Sequence, residues 1–79
     1  MPRYFLNVRD RGVLMEDPDG DDAADLAEIR RIAEGCVADI YARPHTYGEA
    51  LLWDRRTLEI TDESGATVLV VPFSEYADK

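Results

Sequence analysis

One cysteine, one histidine and two serines leave few candidates for a thiolate, an imidazole base or a hydroxyl nucleophile. Cys36 stands alone, so no disulfide can close within the chain, and a reducing, cytoplasmic setting fits better than a secreted one. A structural zinc site takes about four nitrogen or sulfur ligands, and only Cys36 and His45 are on offer. No apolar run approaches the roughly 20 residues that span a bilayer, and no basic-plus-apolar leader opens the chain. The expectation is a soluble cytoplasmic protein with no membrane partner.

Positive charge is also scarce: 9 Lys and Arg face 17 Asp and Glu, a formal net charge of −8. A phosphate backbone repels such a chain unless its arginines gather on one face. Arg3, Arg9, Arg11, Arg30, Arg31, Arg43, Arg55 and Arg56 are spread along the chain, so no nucleic-acid partner is expected. The 79 residues read as one domain, 1–79, near the lower limit for a self-sufficient core.

Between these absences lies a clear order of elements. Residues 3–8 alternate as a strand, with Tyr4, Leu6 and Val8 on one face and Phe5 and Asn7 on the other. Asp10-Arg11-Gly12 turns the chain, and 13–16 return as a second strand. Asp17-Pro18-Asp19-Gly20 is a turn, because proline presets one dihedral and glycine relaxes another. Asp25 with Glu28 three residues on has capping-box spacing, Glu28 reaching back to the cap amide. A helix over 26–42 follows, with Leu26, Ile29, Ala33, Cys36, Val37 and Ile40 on its apolar face. Pro44 ends it. Residues 45–54 read as a loop or a short helical turn. Strands over 56–61 and 67–73 flank the turn Asp62-Glu63-Ser64-Gly65. The predicted fold is α+β in two layers: strand-strand-helix-strand-strand, a mostly antiparallel four-stranded sheet with one helix on one face.

These residues resemble a family of short bacterial proteins classed only as a domain of unknown function. The resemblance rests on Met1 to Phe5, Glu16 to Gly20, Asp25-Leu26, Asp62 to Gly65 and Val71-Pro72-Phe73. It covers most of the chain outside 45–54 and implies no activity. A second likeness, at the level of fold, is to the antitoxin half of toxin–antitoxin pairs, which open with a hairpin and a capped helix. The glycine-rich aromatic second strand and appended DNA-binding segment of that group are missing here.

Several constellations invite chemistry. Asp17, Asp19 and Asp21 alternate, Asp25 is ninth and Glu28 twelfth, the oxygen-ligand spacing of a calcium loop. Against it, the sixth position is Asp22 instead of glycine, and a strand precedes the loop. The competing reading is a polar turn running into a helix N-terminus, where acids favour the helix dipole. A catalytic histidine needs a nucleophile and an orienting acid, yet Ser64 and Ser74 lie in turn and tail contexts and His45 in a loop. Cys36, on the apolar stripe, is expected to pack as a small hydrophobe. Arg30-Arg31 and Arg55-Arg56 either grip a partner's carboxylates or offset local acids. Tyr47 and Trp53 either cover the core or anchor an interface, with core cover favoured.

Residues Val68, Leu69, Val70 and Val71 are apolar without a break, which puts Val68 and Val70 on one face and Leu69, Val71 and Phe73 on the other. Runs of this kind belong to strands buried on both faces, and one helix covers only one. A homodimer through the open face is therefore expected, with Val68 and Val70 in the interface. The functional expectation is a non-enzymatic protein–protein interaction module without a cofactor. The alternatives are an antitoxin-like partner of a toxin and a metal- or small-ligand-responsive binder using the acidic turn.

Overall fold

The structure, a computed structural model, describes residues 1–76. Its elements are β1 (Arg3–Asp10), β2 (Val13–Met15), β3 (Asp21–Asp22), α1 (Leu26–Ala42), α2 (Pro44–Tyr47), α3 (Ala50–Asp54), β4 (Thr57–Thr61) and β5 (Thr67–Pro72), then a 3-10 turn over Phe73–Tyr76. The sheet is antiparallel in the order β2-β1-β4-β5, with β3 also on β1. The α+β fold with one main helix agrees with the sequence reading. Strand β3 was not anticipated, and 44–54 form two short helices. No helix among the described residues is long and apolar enough to cross a membrane.

Strand parity sorts the sheet into two faces. On the helix side, Leu6 stands opposite Ile60 and Ile60 opposite Leu69; Val8, Leu58 and Val71 form the next row. Ile29, Ala33 and Val37 of α1 pack there and are fully buried, as are Ile60 and Phe73. Asp25 caps α1 by accepting the Glu28 amide at 2.9 Å. Glu28 reaches back to the amide of Ala24, not of the cap residue itself, at 3.3 Å. The buried stripe steps by four from Ile29 through Val37. Cys36 falls beside it and is exposed, contrary to the expectation that it packs in the core. Leu26, in the first turn, is also outside the core at 48% exposure.

Aromatic packing closes one end of the core. Phe73 lies 5.2 Å from the Trp53 ring and meets Tyr41 edge-on at 6.4 Å. Trp53 also donates its indole N–H to the Tyr47 carbonyl at 2.9 Å, which fixes α3 against α2. Arg56 stacks over Trp53 at 4.3 Å and, with Arg55, holds Asp10 at 3.1 Å each. The pair Arg55-Arg56 thus fastens the β1–β2 turn to the start of β4.

Candidate docking groove

The face of the sheet away from α1 is built by the alternate residues of the same strands. Asn7, Glu59 and Val70 form one row across β1, β4 and β5. Phe5 stands opposite Thr61, and Arg9 opposite Thr57 and Leu14. The centre of this face is polar: Arg9 grips Glu59 through two bonds of 2.8 and 3.1 Å. That pairing raises the Arg9 pKa and lowers that of Glu59. The broad apolar patch expected from both parities of β1 and β5 is therefore not present. Nor do Val68 and Val70 share a face. An irregularity in register at Ile60/Thr61 shifts the start of β5, so Val68 packs against the core while Val70 is 53% exposed.

Asn7 is the buried polar side chain of the described residues, 4% exposed. Its amide donates to the Glu59 carbonyl at 3.0 Å and to Thr61 Oγ1 at 3.2 Å. Its carbonyl oxygen accepts the Asp17 amide at 2.9 Å. Asp17 in turn fills the gap along β1 between the stretches paired with β3 and β2. Its Oδ2 accepts the Leu6 amide at 3.1 Å, and its Oδ1 accepts the amides of Asp19 and Gly20. Burial works to raise the Asp17 pKa, but the amides of Gly20, Leu6 and Asp19 outweigh it and hold the carboxyl below its ordinary value. Gly20, at φ +75°, lies so close to the Tyr4 carbonyl that a Cβ would sit 2.8 Å from it.

Opposite this segment the β4–β5 turn has the same chemistry. Asp62 Oδ1 accepts the amides of Ser64 and Ala66 and the Ser64 hydroxyl, the last at 2.6 Å. The Ser64 hydroxyl first, then the loop amides, hold Asp62 below its ordinary pKa. Between the two turns lies a groove of about 360 Å³ lined by Phe5 and Leu14 together with Glu16, Asp17, Asp62 and Glu63. Asn7, Thr61 and Gly65 complete the lining, and among the described residues no arginine or lysine contributes to it.

The residues singled out for calcium do not meet. Asp17 is spent on backbone amides, Asp21 lies in β3, and Asp25 and Glu28 form the helix cap. Asp19 follows Asp17 in the turn, where its carbonyl takes Arg3 Nη1 at 2.9 Å. Among the described residues no three His, Cys, Asp or Glu side chains converge as a metal site. His45 is exposed in α2 and Ser74 is exposed in the final turn. Neighbouring atoms crowd the Cys36 sulfur, and with the charges of Asp21, Asp39 and Asp17 they push its pKa up, away from a reactive thiolate. Tyr47 is 41% exposed and its hydroxyl donates to Asp39, whereas Trp53 is half-buried against Phe73. Sequence reasoning missed Asn7 and the groove floor. The available signal was an asparagine between the apolar residues Leu6 and Val8, sharing its parity with Phe5.

Residues 3–74 match the family described as a domain of unknown function (DUF6894), and the chain belongs to that family. No curated protein and no solved structure is significantly similar to it.

Proposed function

We propose that this member of a family defined without an activity is a non-enzymatic protein–protein interaction module, and that it self-associates through β5. The observation that carries the reading is the outer edge of the sheet. Among the described residues strand β5 is paired only with β4, and no residue from Ala66 to Ser74 is charged. Natural edge strands usually carry charges that stop them from recruiting another strand. Phe73 donates its amide to the Arg56 carbonyl at 3.1 Å, so by alternation Leu69 and Val71 bond to β4 and Val70 turns its N–H and C=O outward.

A two-fold axis beside Val70 makes the edge self-complementary. Val70 of each copy then exchanges two backbone bonds with its counterpart. Beyond Val70 the pairing is bounded on one side by Pro72, which has no N–H to give, and on the other by the irregularity at Val68. The rest of the chain supports a non-catalytic role: Ser64 is tied to Asp62, the Cys36 thiol is pushed away from thiolate, and His45 is exposed.

Light scattering after size exclusion tests the self-association. The expected mass is twice the 8.9 kDa of one chain, and Val70→Lys should restore the single mass with its helix signal intact. A wild-type mass that stays at one chain as the sample is concentrated refutes the dimer.

A further inference from the structure

We infer that the groove between the two acidic turns receives an arginine side chain from an extended, basic segment of a partner protein. This rests on the interaction-module reading but not on the β5 dimer, which uses a different part of the sheet.

Three observations converge on that occupant. The first is shape and floor: about 360 Å³ of open space is lined by the half-buried Phe5 ring and Leu14, enough for one long side chain and the backbone that carries it. The second is charge. Glu16, Asp17, Asp62 and Glu63 line the same groove, and their polar partners are donors that do not neutralise them: the Leu6, Asp19 and Gly20 amides for Asp17, Ser64 and Ala66 for Asp62, and the Arg3 amide for Glu63. Glu16 has no hydrogen bond or ion pair among the described residues and is exposed. The chain's own paired arginines are engaged elsewhere: Arg3 with Asp22, Arg9 with Glu59, Arg43 with Asp39, and Arg55 and Arg56 with Asp10.

The third is a precedent within the molecule. Arg56 lies over the Trp53 ring at 4.3 Å while donating to Asp10 at 3.1 Å. A guanidinium set between an aromatic face and a carboxylate is thus an arrangement the protein already uses. Phe5 with Glu16 or Glu63 offers the same pair of surfaces to a guanidinium from outside. Arginine suits the groove better than lysine because its planar fork stacks on a ring and donates two parallel bonds to a carboxylate. Asp17 and Asp62, oriented by backbone amides and held below their ordinary pKa values, keep the groove negative without needing to reorganise on binding.

The test is a titration of the isotopically labelled 79-residue chain with the blocked peptide acetyl-Gly-Val-Arg-Val-Gly-amide, followed by backbone amide shifts. Saturable shifts confined to Phe5, Leu14, Glu16, Thr61 and Glu63 are expected. Replacing the arginine of the peptide by citrulline, which keeps its shape and removes its charge, should weaken binding by at least about tenfold. The double variant Glu16→Gln with Glu63→Gln should weaken it by about tenfold as well. Glu49→Gln with Glu75→Gln, the same charge change at two exposed positions outside the groove, should leave it within about twofold. Equal binding of the citrulline peptide, equal weakening by both double variants, shifts spread over the whole acidic surface, or no binding would each overturn the inference. So would calcium alone producing the same saturable shifts, since the groove would then be a metal site. Failure here with an intact dimer removes the groove and leaves the β5 reading standing.

Discussion

Replacing Asn7 with alanine should loosen the open face of the sheet without disturbing the helix. The side chain spans three segments: it donates to the Glu59 carbonyl and Thr61 Oγ1 in β4, and accepts the Asp17 amide from the acidic turn. Truncation removes these three bonds, each worth about 1 kcal/mol net, while water entering the groove takes the place of Asn7 as partner of the Asp17 N–H. The cavity adds little, because Asn7 lies on the open face and the groove can admit water. The expected loss is therefore about 2–4 kcal/mol, a large fraction of the about 5–15 kcal/mol that holds a domain together.

Equilibrium urea unfolding measures that loss, provided the slope of the transition is unchanged. Hydrogen exchange supplies the local readout. Asp17 is held by Asn7 and itself holds the amides of Leu6, Asp19 and Gly20, so those three should exchange faster, while Ile29 and Val37 in α1 change only with global stability. Asn7→Asp should rescue little: it keeps an acceptor for the Asp17 amide but loses both donors and places a second carboxylate beside the first. A loss below about 0.5 kcal/mol, the level of an ordinary surface substitution, with unchanged exchange at Leu6 would refute the pinning role.

Asp25→Ala should cost about 1 kcal/mol by unpairing the Glu28 amide, and His45→Ala less than about 0.5 kcal/mol because the residue is exposed; equal, large losses in urea would contradict both assignments. Gly20→Ala should destabilise by about 2–4 kcal/mol, combining a positive φ with a Cβ 2.8 Å from the Tyr4 carbonyl, and an unchanged melting temperature would show that the turn relaxes freely. Asp10, Asp17, Glu59 and Asp62 all titrate below their ordinary values in the fold. Depressed carboxylates add stability that is complete above the unfolded-state pKa and is lost as pH falls through the folded one. Stability should thus hold from neutrality down to about pH 5 and decline below about pH 4; a decline centred on pH 6 to 7 would point to a different group.

Where hydrophobic alternation was strong, the sequence was informative. Tyr4, Leu6 and Val8 on β1 read as sharing one face and do pack together on the helix side, where Leu58 and Ile60 of β4 join them. The uninterrupted run from Val68 to Val71 misled, because every residue in it is apolar and parity alone could not reveal the irregularity at Ile60/Thr61. Cys36 misled for a related reason: its hydrophobicity placed it on the stripe, while the helix presents Ala33 and Val37 to the sheet instead. Strand β3 has two aspartates and no apolar signal, since Asp21 and Asp22 form a strand only by pairing with Tyr4 and Arg3. The groove was invisible for a deeper reason. Its walls come from two turns about 45 residues apart, 14–17 and 61–65, and only the pairing of β1 with β4 brings them together.

The same pairing explains how a strongly acidic chain holds a compact fold without neutralising itself. Many of its carboxylates fall to one of two kinds of partner. Asp10, Asp22, Asp39 and Glu59 meet arginines, so their charge is offset where it stands. Asp17, Asp25 and Asp62 meet backbone amides, which orient and stabilise a carboxylate while leaving its full charge in place. The first kind fastens strand to strand and turn to strand; the second shapes turns and caps. Asp17, Asp62 and Glu63, all held by amides, line the groove together with Glu16, so four carboxylates without an arginine partner among the described residues stand together there. A field of this origin reaches only about 10 Å into 0.1 M salt. Added salt should therefore slow the encounter with a basic segment more than it speeds its departure, which the contacts with Phe5 and Leu14 limit.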